Sequence, residues 1–153
     1  MLVRAVPASV GCGALVATTS VSAEAASPIQ LGRIYDNSPG TDRATNLSVN
    51  GEYVAIKNGG TTARSLTGWT VHDAQSLVYK FGTFTFTLGA GKTFVLRSGN
   101  GLNTRTIRYW GLGYHVWNNT GDKAVLRHAA GTAIDSCAWA PTASATRTAE
   151  DIE

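Results

Sequence analysis

The fold class of this chain follows from one segment, Asn50-Gly51-Glu52-Tyr53-Val54-Ala55-Ile56-Lys57-Asn58. Val54 and Ile56 lie on one face of an alternating pattern, which is the period of a β-strand with a buried side. Asn58-Gly59-Gly60 ends the pattern with residues that tolerate positive φ. The segment predicts a strand that covers a core and stops at a tight turn.

Similar short runs lie on both sides of this strand. Upstream, Ile29 to Tyr35 is a candidate first strand, and a polar loop follows it from Asp36 to Asn50. The downstream runs are Ala63 to Leu66, Trp69 to Asp73, Leu77 to Phe81, Thr93 to Ser98, Lys123 to His128 and Ala133 to Trp139. Glycine-rich turns separate them, and no segment keeps an apolar repeat at helical spacing for more than two turns. The pattern predicts an all-β, antiparallel immunoglobulin-type sandwich of about seven to nine short strands.

The composition is that of a folded domain. Hydrophobic residues make up 43% of the 153 residues and charged residues 15%, which excludes a disordered polyelectrolyte and a coiled coil. Beyond the N-terminus no apolar run is long enough for a transmembrane helix. Two cysteines cannot staple a fold of this size, so a hydrophobic core must stabilise it.

The N-terminal 25 residues are typical of a secretory signal. Arg4 supplies a positive charge, Ala5 to Ala17 is mostly small and apolar, and Ala23-Glu24-Ala25 is an A-x-A processing site. The alternatives are a disordered tail or a lipoprotein anchored at Cys12. We expect a signal peptide over 1–25, a sandwich over 26–140, a flexible tail over 141–153, and a secreted, extracellular protein.

Processing at this site removes Cys12 and leaves Cys137 as the remaining thiol. Cys137 lies in a predicted strand, and we interpret it as a small buried residue in a monomer. The alternative is an exposed thiol that pairs with another chain.

Five motifs follow one another along the chain. They are Asn50 to Asn58, Leu66-Thr67-Gly68-Trp69-Thr70-Val71-His72-Asp73, Phe81 with Leu88 to Ser98, Val116-Trp117-Asn118-Asn119-Thr120-Gly121-Asp122-Lys123-Ala124-Val125-Leu126, and Gly131 with Ile134-Asp135-Ser136 and Trp139. These motifs and their order resemble those of the lamin tail domain family. Ala90 stands where the family often has proline. The resemblance covers roughly residues 29–140. It implies a small secreted protein of the bacterial type, with an immunoglobulin-like fold and an accessory or adhesive role.

Within this resemblance the motif residues have structural roles. Glu52 is expected to accept hydrogen bonds from a neighbouring loop, and Trp69 to lie between the sheets. Asn118-Asn119 and Gly121-Asp122 are expected to form a tight connection. Asp135 is expected to satisfy backbone donors of a facing turn.

The sequence predicts neither an enzyme nor a metal or cofactor site. His72, His115 and His128 lie in separate segments without the spacing of metal ligands. Asp36 and Asp42 bracket a loop that resembles a weak calcium site, but the EF-hand spacing is missing. A hydrolase using His72 or His115 would need a clustered acid/base pair in the fold.

The most promising binding segment is Arg105 to Trp117, the longest stretch without clear strand alternation. Residues 26–140 contain 11 Lys and Arg against 6 Asp and Glu, so the body of the chain is basic. Basic residues beside aromatics can hold nucleic acid or sugars. The candidate contact residues are Arg105, Arg108, Tyr109, Trp110 and Tyr114. The alternative is that Trp110 and Trp117 belong to the core.

These observations favour a secreted, non-catalytic lamin-tail-like module for binding, adhesion or an accessory task. Its partner, a protein, a polysaccharide or a nucleic acid, is not identified by the sequence. One alternative is a carbohydrate-binding module, which would present a planar row of exposed aromatics. Another is an extracellular nucleic-acid-binding domain, whose affinity would fall steeply with salt.

The signal predicts cleavage near Ala25. Mass spectrometry of the culture supernatant should find an N-terminus at or near Ala26, because the A-x-A pattern directs processing there. Finding the intact Met1 form in the cytosol would contradict this prediction.

Overall fold

The computed structural model describes residues 27–82, 86–140 and 146–147. One short helix, α1, spans Asn46–Val49. The strands are β1 (Ile29–Tyr35), β2 (Tyr53–Asn58), β3 (Arg64–Ser65), β4 (Thr70–His72), β5 (Val78–Lys80), β6 (Thr87–Leu88), β7 (Thr93–Arg97), β8 (Ile107–Tyr109), β9 (Asp122–Arg127), β10 (Ala133–Trp139) and β11 (Thr146–Arg147).

Two larger sheets form the sandwich. One has the order β11-β1-β2-β7-β8 and the other β10-β9-β4-β5, while β3 and β6 pair at the side. The pairings are antiparallel except for β7 with β8, which is parallel. This architecture confirms the predicted immunoglobulin-like β-sandwich.

The core lies between the inner faces of the two sheets. Alternation places Val54 and Ile56 of β2 beside Leu96 and Phe94 of β7, as the sequence pattern predicts. Residues of the opposite sheet and of the loops complete one continuous cluster, which includes Val71, Phe81, Phe86, Ala124, Leu126 and Trp139. The rings of Phe81, Phe86 and Phe94 pack with centroids 5.0–5.7 Å apart. Stability therefore depends on apolar burial, as the low cysteine content requires.

Several elements differ from the prediction. The described residues form eleven strands rather than seven to nine, because the sequence pattern does not show β6, β8 and β11, which are only two or three residues long. The predicted polar loop contains α1, whose N-cap Thr45 accepts a hydrogen bond from the backbone N–H of Ser48 at 3.3 Å. β11 pairs with β1 inside the predicted tail, and the rest of that tail lies outside the described residues.

The connection between Asn118 and Asp122 is tight, as predicted. Gly121 adopts a φ of 127° and donates its N–H to the carbonyl of Asn118 at 3.1 Å. The Asp122 carboxylate accepts the N–H of Asn118 at 3.0 Å. A residue with a side chain is rare at this φ, so the turn favours glycine.

Asp135 accepts hydrogen bonds from backbone N–H groups, as expected. One of these donors lies in a strand rather than in the expected turn. Its Oδ2 accepts the N–H of Leu31 in β1 at 2.7 Å, and its Oδ1 accepts the N–H of Ser136 at 2.8 Å. The first bond joins β1, which lies next to the edge strand β11 of the five-stranded sheet, to β10 at the edge of the four-stranded sheet. Asp135 therefore closes one side of the sandwich.

Cys137 is 2% exposed within β10. The interpretation as a small buried residue is confirmed, and the alternative of an exposed thiol is wrong.

Trp69 is a core residue and supports a stability prediction. Its side chain is 6% exposed, and its ring meets that of His128 edge-on with centroids 5.0 Å apart. Trp69→Ala should lower the free energy of unfolding by about 3–5 kcal/mol, because it removes a large buried ring. Urea unfolding measures this change, with Trp69→Phe as the milder control. A loss below about 1 kcal/mol would place Trp69 outside the core.

Candidate functional site

The structure divides the predicted binding segment between the core and two surfaces. Trp110 packs against the core, with its ring centroid 5.8 Å from Tyr79 and 6.0 Å from Trp117. Trp117 is buried, as the family motif predicts. The interpretation of both tryptophans as packing residues therefore agrees with the structure.

The tyrosines of the same segment differ in exposure. Tyr109 ends β8 and is half-buried, and a Cβ built on Gly101 would lie 2.3 Å from its ring. Gly101 is therefore in close contact with this ring, and a side chain there would displace it. Tyr114 is 52% exposed. Among the predicted aromatic contacts, Tyr114 alone is largely open to solvent.

A row of three tyrosines and one arginine crosses the outer face of the five-stranded sheet. Tyr35 lies beside Tyr53, Tyr53 beside Arg97, and Arg97 beside Tyr109. The rings of Tyr35 and Tyr53 are stacked at 5.6 Å, and the Arg97 guanidinium lies 5.6 Å from the Tyr53 centroid. We call these four residues the tyrosine row. Both faces of Tyr53 are thus occupied within the protein, which leaves no platform there for a sugar or a base.

Sequence reasoning missed the tyrosine row. Its members come from four strands that are neighbours only in the folded sheet. The alternation of β2 and β7 does place Tyr53 and Arg97 on the outward face. The pairing of the strands, which brings the members side by side, is not readable from local sequence.

Three cations border a groove at the edge where β6, β7 and β8 meet. Lys92 precedes β7, Arg105 precedes β8, and Arg108 lies within β8. They line a cavity of about 600 Å³ together with Phe86, Thr87, Leu88, Gly89, Thr93 and Thr106. None of these lining residues is acidic. We call this cavity the basic groove.

Arg108 is held in place by two contacts. Its guanidinium carbon lies 4.2 Å from the centroid of the Phe86 ring, and its Nη1 donates to the carbonyl of Ile107 at 3.2 Å. Arg105, by contrast, has an exposed side chain. Arg105 and Arg108 are thus brought together as predicted, but at a different surface from Tyr109.

Tyr109 borders a second, larger groove of about 900 Å³ beneath the loop of residues 39–51. Arg43 and Arg97 also line it, and Leu47 at its rim is 87% exposed. The Arg97 Nη1 donates to the carbonyl of Asn50, which ties the tyrosine row to the loop. Like the basic groove, this second groove has no acidic lining residue.

The distribution of charge explains why both grooves are basic. Of the six acidic residues in 27–140, Asp36, Glu52, Asp73 and Asp122 are buried. The eleven Lys and Arg of the same range are all at least partly exposed. The accessible surface is therefore more basic than the formal balance of 11 cations against 6 anions indicates.

The buried acids accept hydrogen bonds from backbone N–H groups. Asp73 accepts from Leu77 at 2.6 Å, and Asp122 accepts from Ala74 at 3.0 Å and from Lys123 at 2.7 Å. Burial raises the pKa of Asp73 above its ordinary value. These carboxylates stabilise turns of the fold and contribute little to the surface charge.

Glu52 is the most deeply placed of these acids. Its Oε2 accepts the N–H groups of Val116 at 2.8 Å and Trp117 at 3.3 Å, and the Ser98 hydroxyl at 3.1 Å. Its Oε1 is buried without a hydrogen-bond partner. Burial raises the pKa of Glu52 to about 7, against the lowering effect of the three donors. The expectation that a loop would donate to this carboxylate is confirmed.

The histidines do not assemble a catalytic site. His72 contacts the Thr70 hydroxyl at 2.8 Å, and burial lowers its pKa. His115 Nε2 lies 3.3 Å from the Ser48 hydroxyl and 3.7 Å from the Asp42 carboxylate. A Ser–His–Asp relay needs the serine and the acid on opposite ring nitrogens, whereas both groups here face the same one.

A metal site is equally unsupported in the described part of the chain. Asp36 is buried, whereas Asp42 is exposed and accepts from the Asn119 amide at 3.0 Å. Across residues 27–82 and 86–140, no three His, Cys, Asp or Glu side chains are grouped as metal ligands.

The sandwich and its basic surface describe an immunoglobulin-like domain without an evident catalytic centre. The family model of the Lamin Tail Domain matches residues 22–141. The chain therefore belongs to the lamin tail domain family, whose members are immunoglobulin-like domains not known as enzymes. No curated protein matches the chain. The described residues include no helix long and apolar enough to cross a membrane.

Glu52 makes the stability of the domain depend on pH. Its pKa is about 7 in the folded state and ordinarily 4.5, so the folded protein binds the proton of Glu52 more tightly than the unfolded chain does. The resulting contribution to the free energy of unfolding is complete below about pH 4.5 and is lost as the pH rises through about 7. This shift corresponds to roughly 3 kcal/mol. Glu52→Gln resembles the protonated acid and should remove the dependence. Urea unfolding measures the stability of both proteins at about pH 4.5 and about pH 8. Between these pH values the free energy of unfolding of the wild type should fall by roughly 3 kcal/mol relative to that of Glu52→Gln. A constant difference between the two would contradict the assignment.

Proposed function

We propose that this chain is an exported, non-catalytic binding module that holds an anionic partner by charge. The observation that carries the proposal is the separation of charge: the acids are mostly buried as backbone acceptors, and the cations are exposed. A surface of this kind attracts polyanions and raises their association rate. Export rests on Arg4 and the A-x-A pattern at Ala23 to Ala25.

Charge accounts for binding at this surface better than aromatic stacking does. Tyr53 is enclosed by Tyr35 and Arg97, and Trp110 packs between Tyr79 and Trp117. A carbohydrate-binding module needs exposed ring faces in a row. Among the predicted contact residues, Arg105 and Arg108 therefore remain the principal candidates, and the exposed Tyr114 is a further candidate at a separate position.

The expected partner contacts the edge of the five-stranded sheet near β7 and β8. The two grooves on either side of β8 bring five cations to this edge: Arg43, Lys92, Arg97, Arg105 and Arg108. The acid nearest in sequence to this set, Asp42, already faces Asn119 and His115. Little negative charge on this edge therefore opposes an anionic ligand.

A screen of the purified domain at low salt tests the proposal. We expect retention on acidic polymers such as duplex DNA, with log K falling by about 0.9 per neutralised phosphate for each unit of log salt. A neutral glucan and intact peptidoglycan are the comparison ligands. Binding to the neutral glucan that salt does not weaken would favour the carbohydrate-binding alternative and contradict the proposal.

A further inference from the structure

We infer that the basic groove is a subsite for the phosphate or sulfate esters of a linear anionic polymer. This inference rests on the proposed function and specifies the ligand chemistry of one part of its surface. Lys92, Arg105 and Arg108 supply the charge, and Arg108 is already ordered over Phe86.

The donor set fits a tetrahedral oxyanion better than a carboxylate. Three cations reach the groove from two segments, Lys92 from the β6–β7 turn and Arg105 and Arg108 from β8 and the turn before it, and the hydroxyl-bearing residues Thr87, Thr93 and Thr106 also line it. A sulfate ester presents three acceptor oxygens and a phosphodiester two non-bridging ones, all around a tetrahedral centre, whereas the two oxygens of a carboxylate lie in one plane with their carbon. Arginine also matches the geometry of such oxygens with paired N–H groups.

The backbone that carries Lys92 is held by hydrogen bonds. The Lys92 N–H donates to Gly89 at 3.1 Å, and its carbonyl accepts the N–H of Asn58 at 2.9 Å. The side chain of Asn58, which is fully buried, donates to Leu88 at 3.0 Å and to Thr62 at 2.9 Å. The β6–β7 turn is thus fixed relative to β2, and the Lys92 side chain extends from a rigid base.

The turn that carries Arg105 is held in a similar way. The Thr104 hydroxyl accepts the N–H groups of Thr106 at 3.2 Å and Ile107 at 3.0 Å. The Thr104 N–H donates to the Ile107 carbonyl at 2.9 Å. Because the backbone is ordered before a ligand arrives, binding loses less conformational entropy than it would at a flexible loop.

Lys92 and Arg105 can be substituted without removing a side chain from the core. Lys92 and Arg105 are exposed, and their side chains support no other element. The test variant is Lys92→Ser with Arg105→Ser. The matched control is Lys80→Ser with Lys123→Ser, which removes the same charge from exposed positions on the four-stranded sheet. A third variant, Arg108→Met, retains an apolar side chain over Phe86.

Binding is measured on inorganic polyphosphate, duplex DNA, dextran sulfate and polyglutamate, with urea unfolding as the check on folding. The groove variant should lose at least about tenfold in affinity on the phosphate and sulfate polymers, on the scale of one charge-assisted hydrogen bond. Its salt slope on duplex DNA should fall by about 2, since two phosphate contacts are removed. The control should keep the wild-type slope, and Arg108→Met should weaken binding while remaining folded.

The arms of the experiment separate the possible failures. If the groove variant and the control lose affinity equally while the wild type binds, the assignment of the groove as a subsite is wrong and the proposed function stands. Polyglutamate bound as tightly as polyphosphate would overturn the preference for tetrahedral oxyanions. A wild-type domain that binds none of the acidic polymers would overturn both the groove and the proposed function. Comparison of duplex DNA with dextran sulfate identifies whether the groove prefers phosphate or sulfate esters.

Discussion

The carboxylate of Glu52 joins three parts of the chain that are distant in sequence. It stands at the start of β2, receives the Ser98 hydroxyl from the end of β7, and receives two N–H groups at Val116 and Trp117. These bonds satisfy donors that would otherwise be buried without partners, which is costly in a sandwich core. The position of Trp117, and through it Trp110 and Trp139, depends on this single carboxylate.

The same principle extends to the other acids and determines the character of the surface. Asp73, Asp122 and Asp135 accept backbone N–H groups at turns and at the sandwich edge. These acidic side chains are buried or partly buried, whereas the lysines and arginines are at least partly exposed. The groups that this chain exposes are therefore mostly basic, because four of its six acids in 27–140 lie buried inside the fold.

Local sequence predicts the parts of this fold that depend on alternation and turn chemistry. The alternation of Val54 and Ile56, the Asn118–Asp122 turn and the buried Trp69 are all readable from the residues. β6 and α1, which are two and four residues long, carry too little periodicity to be read. The basic groove is harder still, since Lys92 and Arg108 become neighbours only through the parallel pairing of β8 with β7. Arg108 and Tyr109 border different grooves for another reason: successive residues of a strand face opposite sides.

This alternation also explains how one short strand serves two surfaces. Ile107 and Tyr109 point to the outer face and border the larger groove, while Arg108 points the other way and covers Phe86. Because β8 is an edge strand, its inward residue reaches the rim of the core and remains partly open to solvent. Arg108 can therefore pack its stem and plane on an apolar ring and still offer charge to the groove. One short edge strand thus packs on the core through Arg108 and borders the larger groove through Ile107 and Tyr109.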